Sequence, residues 1–211
     1  MSSDTVSTIS GRERLLATAA VMFRQRGYAG TSTRDLAAAL GMQSASLYHY
    51  IGSKEDLLFD LSREALEVIG TQVAAALDGA EDPVERLRLL IRTHLVTALS
   101  DQDKHAVMLT EMHSLSPARR AEVLKMRDQY EAYVEGVLSK ARGAGVIRTD
   151  IPVKYLRLAL LDLLGWTIFW FRPDGELSPN ALADIMVTLY LDGARWRPAQ
   201  DWVAAANGDG T

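Results

Sequence analysis

The 211-residue sequence predicts an all-α protein of about nine helices. No stretch alternates apolar and polar residues over a useful length, whereas apolar residues recur at 3.6-residue spacing along most of the chain. Serine, proline and glycine fall where such periodic segments begin and end. The composition, 48% apolar and 24% charged, is that of a globular chain. A chain of this length buries roughly 70% of its unfolded surface, so it needs no covalent staple. With no cysteine it has no disulfide framework, thiolate zinc site or cysteine nucleophile, which fits a reducing, cytoplasmic setting. The leading MSSDTVSTIS lacks the basic and apolar regions of a signal peptide. The longest apolar stretch, Leu156 to Phe171, contains Arg157 and Asp162 and falls short of a membrane span.

The first predicted helix runs from about Gly11 to Arg26, with Leu15, Leu16, Ala19, Ala20 and Phe23 as its buried stripe and Gly27 as its end. The second covers Thr33 to Leu40, capped by Ser32 with Asp35 at capping-box spacing and stopped by Gly41. A short third helix spans about Ser44 to Tyr50. Ser53 and Asp56 repeat the capping pattern for a fourth helix reaching about Leu77, on the order of 35 Å long at ~1.5 Å per residue. The fifth starts at Pro83 and reaches Leu99; the sixth covers about Lys104 to Met112. The seventh follows the cap Ser116 from Pro117 to near Gly143. The eighth is predicted from Pro152, after Asp150, to Phe171, and the ninth from Pro179 to Leu191. The expected division is a flexible start (1–10), a head (11–54), a body (55–194) and a flexible tail (195–211) whose Trp196 and Trp202 are candidates to pack back.

Charge is distributed unevenly. Between Gly11 and Lys54 six bases face two acids, although the whole chain carries a formal charge of −4. A basic head on an acidic body suggests a polyanion contacted by the head alone. Two short helices joined at Gly41-Met42 have helix-turn-helix spacing, and the second would enter the major groove. It carries Ser44, Ala45, Ser46, Tyr48, His49 and Tyr50: small residues for close approach, and hydroxyl and imidazole groups for base edges and phosphates. Leu47 is expected to point inward. The helix N-termini near Thr33-Arg34 and Lys54 present backbone amides that suit phosphate oxygens.

The segment GYAGTSTRDLAAALGMQSASLYHYIGSKEDLL resembles the DNA-binding head of TetR-type transcriptional repressors. Gly-Tyr, Thr-Ser-Thr-Arg-Asp-Leu-Ala, Leu-Tyr-His-Tyr and Ser-Lys-Glu-Asp-Leu occur in order over about residues 11 to 60; the body agrees only in helix number and length. Position by position, the resemblance places Thr33, Arg34, Ser44, Ser46, Tyr48, His49, Tyr50 and Lys54 at DNA. Ala45 takes a position often held by Gly or Pro, and Ile51-Gly52 departs from the usual Phe followed by Pro, Gly or Lys.

The predicted eighth helix is apolar on more than one face (Leu156, Ala159, Leu160, Leu163, Leu164, Thr167, Ile168), and Ala181, Ile185, Met186, Leu189 and Tyr190 repeat at helical spacing in the ninth. A helix apolar all round must be covered all round, which suggests a subunit interface. The resemblance implies a homodimer built from these two helices of each subunit, with Leu160, Leu164, Ile168, Ile185 and Leu189 in the interface. Its twofold axis would match a palindromic operator with half-sites about one DNA turn, or a multiple, apart. Helices four to seven would then enclose a chamber. Candidate lining residues are Leu66, Ile69, Val73, Leu95, Leu99, Met108, Met112, Tyr130, Tyr133, Val137, Trp166, Phe169 and Trp170, since methionine and aromatic side chains suit irregular apolar ligands. The turn WFRPDGELSP resembles that of TetR-type regulators responding to acyl-CoA thioesters in fatty-acid or steroid degradation. CoA phosphates would need a cation such as Arg86, Arg88, Arg92, Arg119, Arg120 or Arg127. His94, His105 and His113 lack metal-ligand spacing and read as chamber or surface residues, and Asp162 reads as a buried polar group needing a partner.

The functional expectation is a repressor released from operator DNA when an apolar or amphipathic effector tilts the fourth helix. It works with no cofactor, no metal and no membrane. A drug- or metabolite-responsive regulator of an efflux gene is the alternative. A lipid or acyl-CoA carrier without DNA binding, or a small all-α enzyme, is more distant: there is no Gly-x-Ser-x-Gly, His-Glu-x-x-His or Walker-type lysine loop.

Overall fold

A computed structural model describes residues 10–194. The predicted starting segment and the tail with Trp196 and Trp202 lie outside the described residues. The order is α1 (Gly11–Arg26), α2 (Thr33–Ala39), α3 (Ser44–Leu47), α4 (Lys54–Ala76), α5 (Pro83–Ser100), α6 (Gln102–Glu111), a 3-10 turn (Met112–Ser114), α7 (Pro117–Gly143), α8 (Val153–Gly165), α9 (Thr167–Trp170) and α10 (Pro179–Ala194). The described residues contain no strand, and the fold is the all-α one predicted.

Local chemistry sets most boundaries. Ser10 with Glu13, Ser32 with Asp35, and Ser53 with Asp56 each form a reciprocal capping box at the start of α1, α2 and α4. Gly41, at φ +67°, supplies the left-handed turn between α2 and α3 that a side chain would resist. One expected cap does something else. The Ser116 side chain makes no cap; its backbone N–H donates to Glu55 of α4. Asp150, just before α8, pairs with Arg148.

The third helix is shorter than predicted, because Tyr48, His49 and Tyr50 form a tight turn leading to buried Ile51. The predicted eighth helix divides at Gly165-Trp166. Glycine lowers helix propensity there, and the Thr167 hydroxyl donates to the Leu164 carbonyl, tightening the local winding into separate α8 and α9.

Two apolar clusters form the interior. One joins Leu15, Leu16 and Phe23 of α1, Leu36 of α2, Leu47 of α3 and Leu57, Leu58 and Leu61 of α4, and it reaches Val107 and Met108 of α6 and Val123 of α7. The other joins Ile69 and Val73 of α4, and Leu77 just after it, to α5, α7, α8 and α10. α4 therefore belongs to both. α5 packs on α4 and α10, and α6 packs on α1 and α4, so the head rests directly on α6.

Leu47 is fully buried and is the one α3 side chain in the core. Leu47→Ala is expected to lower stability by about 2–5 kcal/mol, the range for a truncated core leucine. Urea denaturation followed by circular dichroism measures it, with operator affinity falling in parallel.

Candidate DNA-contact face and effector cavity

Most of the residues expected at DNA lie at the surface of the head. Arg34, Ala45, Tyr48, His49 and Tyr50 are exposed, and Thr33, Ser44 and Ser46 are half-buried. The Thr33 hydroxyl lies 3.5 Å from the Tyr48 hydroxyl, which joins the start of α2 to the end of α3. Tyr50 lies over the first turn of α1: a side chain in place of Gly11 would meet its ring within 3 Å. Its orientation is thus held by α1.

Lys54 is placed differently from expectation. Its ammonium donates to the Tyr28 carbonyl at 2.8 Å and the Thr31 carbonyl at 2.9 Å, and sits 4.0 Å from the centre of the Tyr28 ring. Partial burial pulls its pKa below the ordinary lysine value. Two of its three donors are therefore committed to the α1–α2 turn, and Lys54 holds that turn against the start of α4.

The cavity has a volume of about 200 Å3 and lies between α4, α5, α6, α7, α8 and α9. Of the residues expected to line it, Leu66, Ile69, Met108 and Tyr130 do. Tyr133 borders a separate, more open depression with Leu66, Gly70 and Tyr130. Met112 packs against the head's core, and Val73, Leu95, Leu99 and Val137 fill the body's core. Trp166, Phe169 and Trp170 point outward and do not border the cavity; Trp166 is 64% exposed. The division at Gly165-Trp166 turns them away from it.

Histidines that sequence reasoning left unassigned take the polar positions. His94 and His105 both border the cavity and are buried. His94 Nδ1 is 2.7 Å from the Tyr130 hydroxyl, and His105 Nδ1 is 2.9 Å from the Asp101 carbonyl. Burial, aided by the neighbouring His105, pushes the His94 pKa down to about 3. Burial likewise lowers His105 and raises Tyr130 well above a free phenol. His113 is exposed and bonds to the Thr110 carbonyl.

Among the six arginines considered for phosphates, only Arg127 borders the cavity, with its Nε 3.4 Å from Glu131. Arg119 pairs with Asp56, Arg92 with Asp184, and Arg86 donates to the Leu77 and Ala80 carbonyls. Asp162, expected to be buried, is exposed and borders the cavity with Leu161 and Gly165. The exposed liners, Leu109 and Asp162, place the mouth between α6 and α8, beside α7's Arg127 and Glu131. Every lining helix except α9 contributes positions three or four apart, such as His94 with Ala98 and Arg127 with Tyr130 and Glu131. That spacing was visible in the sequence, but ordinary core residues share it.

The expected interface residues divide. Leu160, Leu164 and Ile168 are buried in the chain's own core and present nothing to a partner. Ile185 and Leu189 are exposed, Leu189 at 59%. The outward faces of α8 to α10 instead carry Tyr155, Leu158, Trp166, Phe169 and Trp170 beside them.

A basic helix-turn-helix head resting on a body with a largely apolar cavity defines a ligand-gated DNA-binding regulator. The model for bacterial regulatory proteins of the tetR family matches residues 15–61, and that for the tetracyclin repressor-like C-terminal domain matches residues 80–194. The chain belongs to the tetR family and is a helix-turn-helix transcriptional regulator. The HTH-type transcriptional repressor KstR2 of Mycobacterium tuberculosis is 28% identical over 186 residues, covering 87% of this chain and 92% of KstR2. Its solved structure matches with a TM-score of 0.84 over 90% of this chain and 98% of that one. PfmR of Thermus thermophilus is 36% identical with a TM-score of 0.78, over 85% of this chain and 97% of PfmR. AibR, solved in complex with isovaleryl coenzyme A and operator DNA, is 32% identical with a TM-score of 0.75, over 84% and 96% of the two chains.

Two measurements check these placements. Lys54→Ala is expected to lower stability by about 1.5–3 kcal/mol, the range for hydrogen bonds to a charged group. It should change the salt slope of operator binding by less than one unit, whereas Arg34→Ala should flatten the slope by about one. The second concerns pH. Unfolded His94 titrates near 6.5 and folded His94 near 3, so between those values only the unfolded chain takes up the proton. Its stabilising contribution is complete above about pH 6.5 and declines as pH falls toward 3, with a folded-to-unfolded ratio dropping up to about tenfold per pH unit. Urea midpoints between pH 7 and 5 should fall less steeply in His94→Gln.

Proposed function

We propose that this regulator is a repressor. It binds a palindromic operator as a homodimer and is released by a small amphipathic effector, an acyl-CoA thioester. It is a DNA-binding switch of the cytoplasm and not an enzyme. Residues 11–54 read the DNA; residues 55–194 bind the effector and pair the subunits. Among the described residues, no helix is long and apolar enough to cross a membrane. The observation that carries the reading is an apolar cavity whose wall is shared with the head. Leu66 and Met108 line it and also belong to the head's apolar cluster.

The cavity's size favours a thioester over a bulky drug. At about 200 Å3 it lies below the ~300–1,000 Å3 of sites that enclose drug-sized ligands. It accommodates an acyl chain, leaving the nucleotide outside beside Arg127 at the mouth. AibR's complex with isovaleryl coenzyme A supports the same ligand class. The exposed apolar face of α8 to α10 supports the dimer, which covers Trp166, Phe169, Trp170, Ile185 and Leu189. Arg34, Ala45, Tyr48 and His49 are the exposed side chains available to DNA, with Thr33, Ser44 and Ser46 beside them and Tyr50 shaping the turn.

Coupling runs through Arg24 as well as through the shared wall. From α1, its guanidinium donates to Asp103 of α6 at 2.8 Å and to the Ile168 carbonyl of α9 at 3.0 Å. The Ile168 side chain borders the cavity. An effector that displaces Ile168 or Met108 therefore moves the support on which α1 rests.

Fluorescence anisotropy with DNA flanking the protein's own gene tests the reading. Nanomolar binding is expected, reversed 5- to 150-fold by isovaleryl-CoA, the range of a typical coupling. Arg24→Ala should shrink that reversal while leaving isovaleryl-CoA affinity of the DNA-free protein within about twofold. Ile185→Arg with Leu189→Arg should yield monomers by light scattering and abolish operator binding. Absence of any operator shift, or no release by any acyl thioester, overturns the reading.

A further inference from the structure

The cavity's polar groups ask for more of a ligand than an apolar chain. His105 Nδ1 faces the Asp101 carbonyl at 2.9 Å. A carbonyl only accepts, so Nδ1 holds the proton and Nε2 is left with a lone pair. That Nε2 is shielded from solvent and has no partner among the described residues. Its residue is 3% exposed and borders the cavity. The Ala65 carbonyl lies beside the ring as a second acceptor, in a geometry that leaves Nε2 unsatisfied, so this corner calls for a donor. Bordering the same cavity, the His94 Nδ1 and Tyr130 hydroxyl, 2.7 Å apart, share one proton of the two they carry. Whichever group donates, the pair retains one N–H or O–H to offer. The rest of the wall is largely apolar, with Leu66, Ile69, Ala98 and Met108.

We propose that the cavity selects a short acyl chain bearing a hydroxyl group. The hydroxyl donates to His105 Nε2 and the acyl carbonyl accepts from the His94–Tyr130 pair. This rests on the thioester reading above and narrows it. A plain acyl chain leaves a buried acceptor unmatched, which costs more than one hydrogen bond gains. A site built to bond a hydroxyl rejects the analogue lacking it far more strongly than an apolar pocket rejects one methylene. A carboxylate at the same depth only accepts, and it meets a second lone pair at Nε2.

The test is calorimetric titration of the full chain with butyryl-CoA and 3-hydroxybutyryl-CoA, and with the same two acyl groups on N-acetylcysteamine, which lacks the nucleotide. The hydroxylated member of each pair is expected to bind at least tenfold more tightly. His105→Leu should reduce that preference to within twofold. A readout independent of the variant's folding is the nitrogen-15 resonance of His105 Nε2 in the wild-type protein, which should move with the hydroxyacyl ligand and not with the plain one. Equal affinities within each pair overturn the proposal, as does a preference that survives His105→Leu or binding by none of the four. If the N-acetylcysteamine pair discriminates while neither CoA thioester binds, the cavity's chemistry stands and the CoA reading falls. If both CoA thioesters bind without discrimination, the CoA reading stands and this proposal falls.

Discussion

The structure depends on one helix serving two interiors. α4 runs unbroken over 23 residues; Leu57, Leu58 and Leu61 close the head's core and Ile69 and Val73 close the body's. Neither interior can be completed without it. Head and body are further tied by Arg12 with Asp60, Lys104 with Glu64, Arg24 with Asp103 and Arg119 with Asp56. Such part-exposed ion pairs contribute little to stability one by one. Their value lies in orientation: they define how α1 and α6 lie against α4 while remaining weak enough to exchange. A stiff shared helix with weak lateral ties is the arrangement from which two discrete packings arise.

The cavity has a similar logic. Two histidines in an apolar wall would be costly as cations, and burial keeps both neutral. Neutral imidazoles and a phenol give the site direction without charge, while the charged groups, Arg127, Glu131 and Asp162, stay at its mouth. The apolar end of a ligand is therefore directed inward and its charged end kept at the mouth before any fine recognition begins.

What the sequence made legible was local. Serine followed three residues later by an acid located the starts of α2 and α4 because a capping box is complete within four residues. The head was legible for the same reason: its helices are short, its turns are glycine-marked, and Leu47 is inward because its neighbours are polar. The longer-range facts were not. A helix apolar on every side does not say which side its own chain covers, and so Leu160 and Leu164, expected at a partner, are core, while Trp166 and Phe169, expected in the chamber, are exposed. Lys54 looked like a phosphate contact because nothing local reveals that the Tyr28 and Thr31 carbonyls lie within its reach. The His94–Tyr130 bond joins residues 36 apart, beyond any periodicity argument.

Shared walls also constrain how release can work. A ligand shifts an equilibrium only by the difference in its affinity for the two states, however tightly it binds either. Leu66 and Met108 face the cavity on one side and the head's core on the other, so their positions are the variable both sites read. An acyl chain that fits without moving Met108 or Ile168 occupies the cavity in both packings alike and leaves the operator bound. A longer or branched chain that enters only when Met108 and Ile168 yield is bound by the released packing alone. On the proposed reading, recognition and release separate in the ligand: the polar pairs decide what enters, and chain size decides whether entry is felt at the DNA. Operator DNA, by holding the head, must weaken the second kind of ligand by the same factor and leave the first kind untouched.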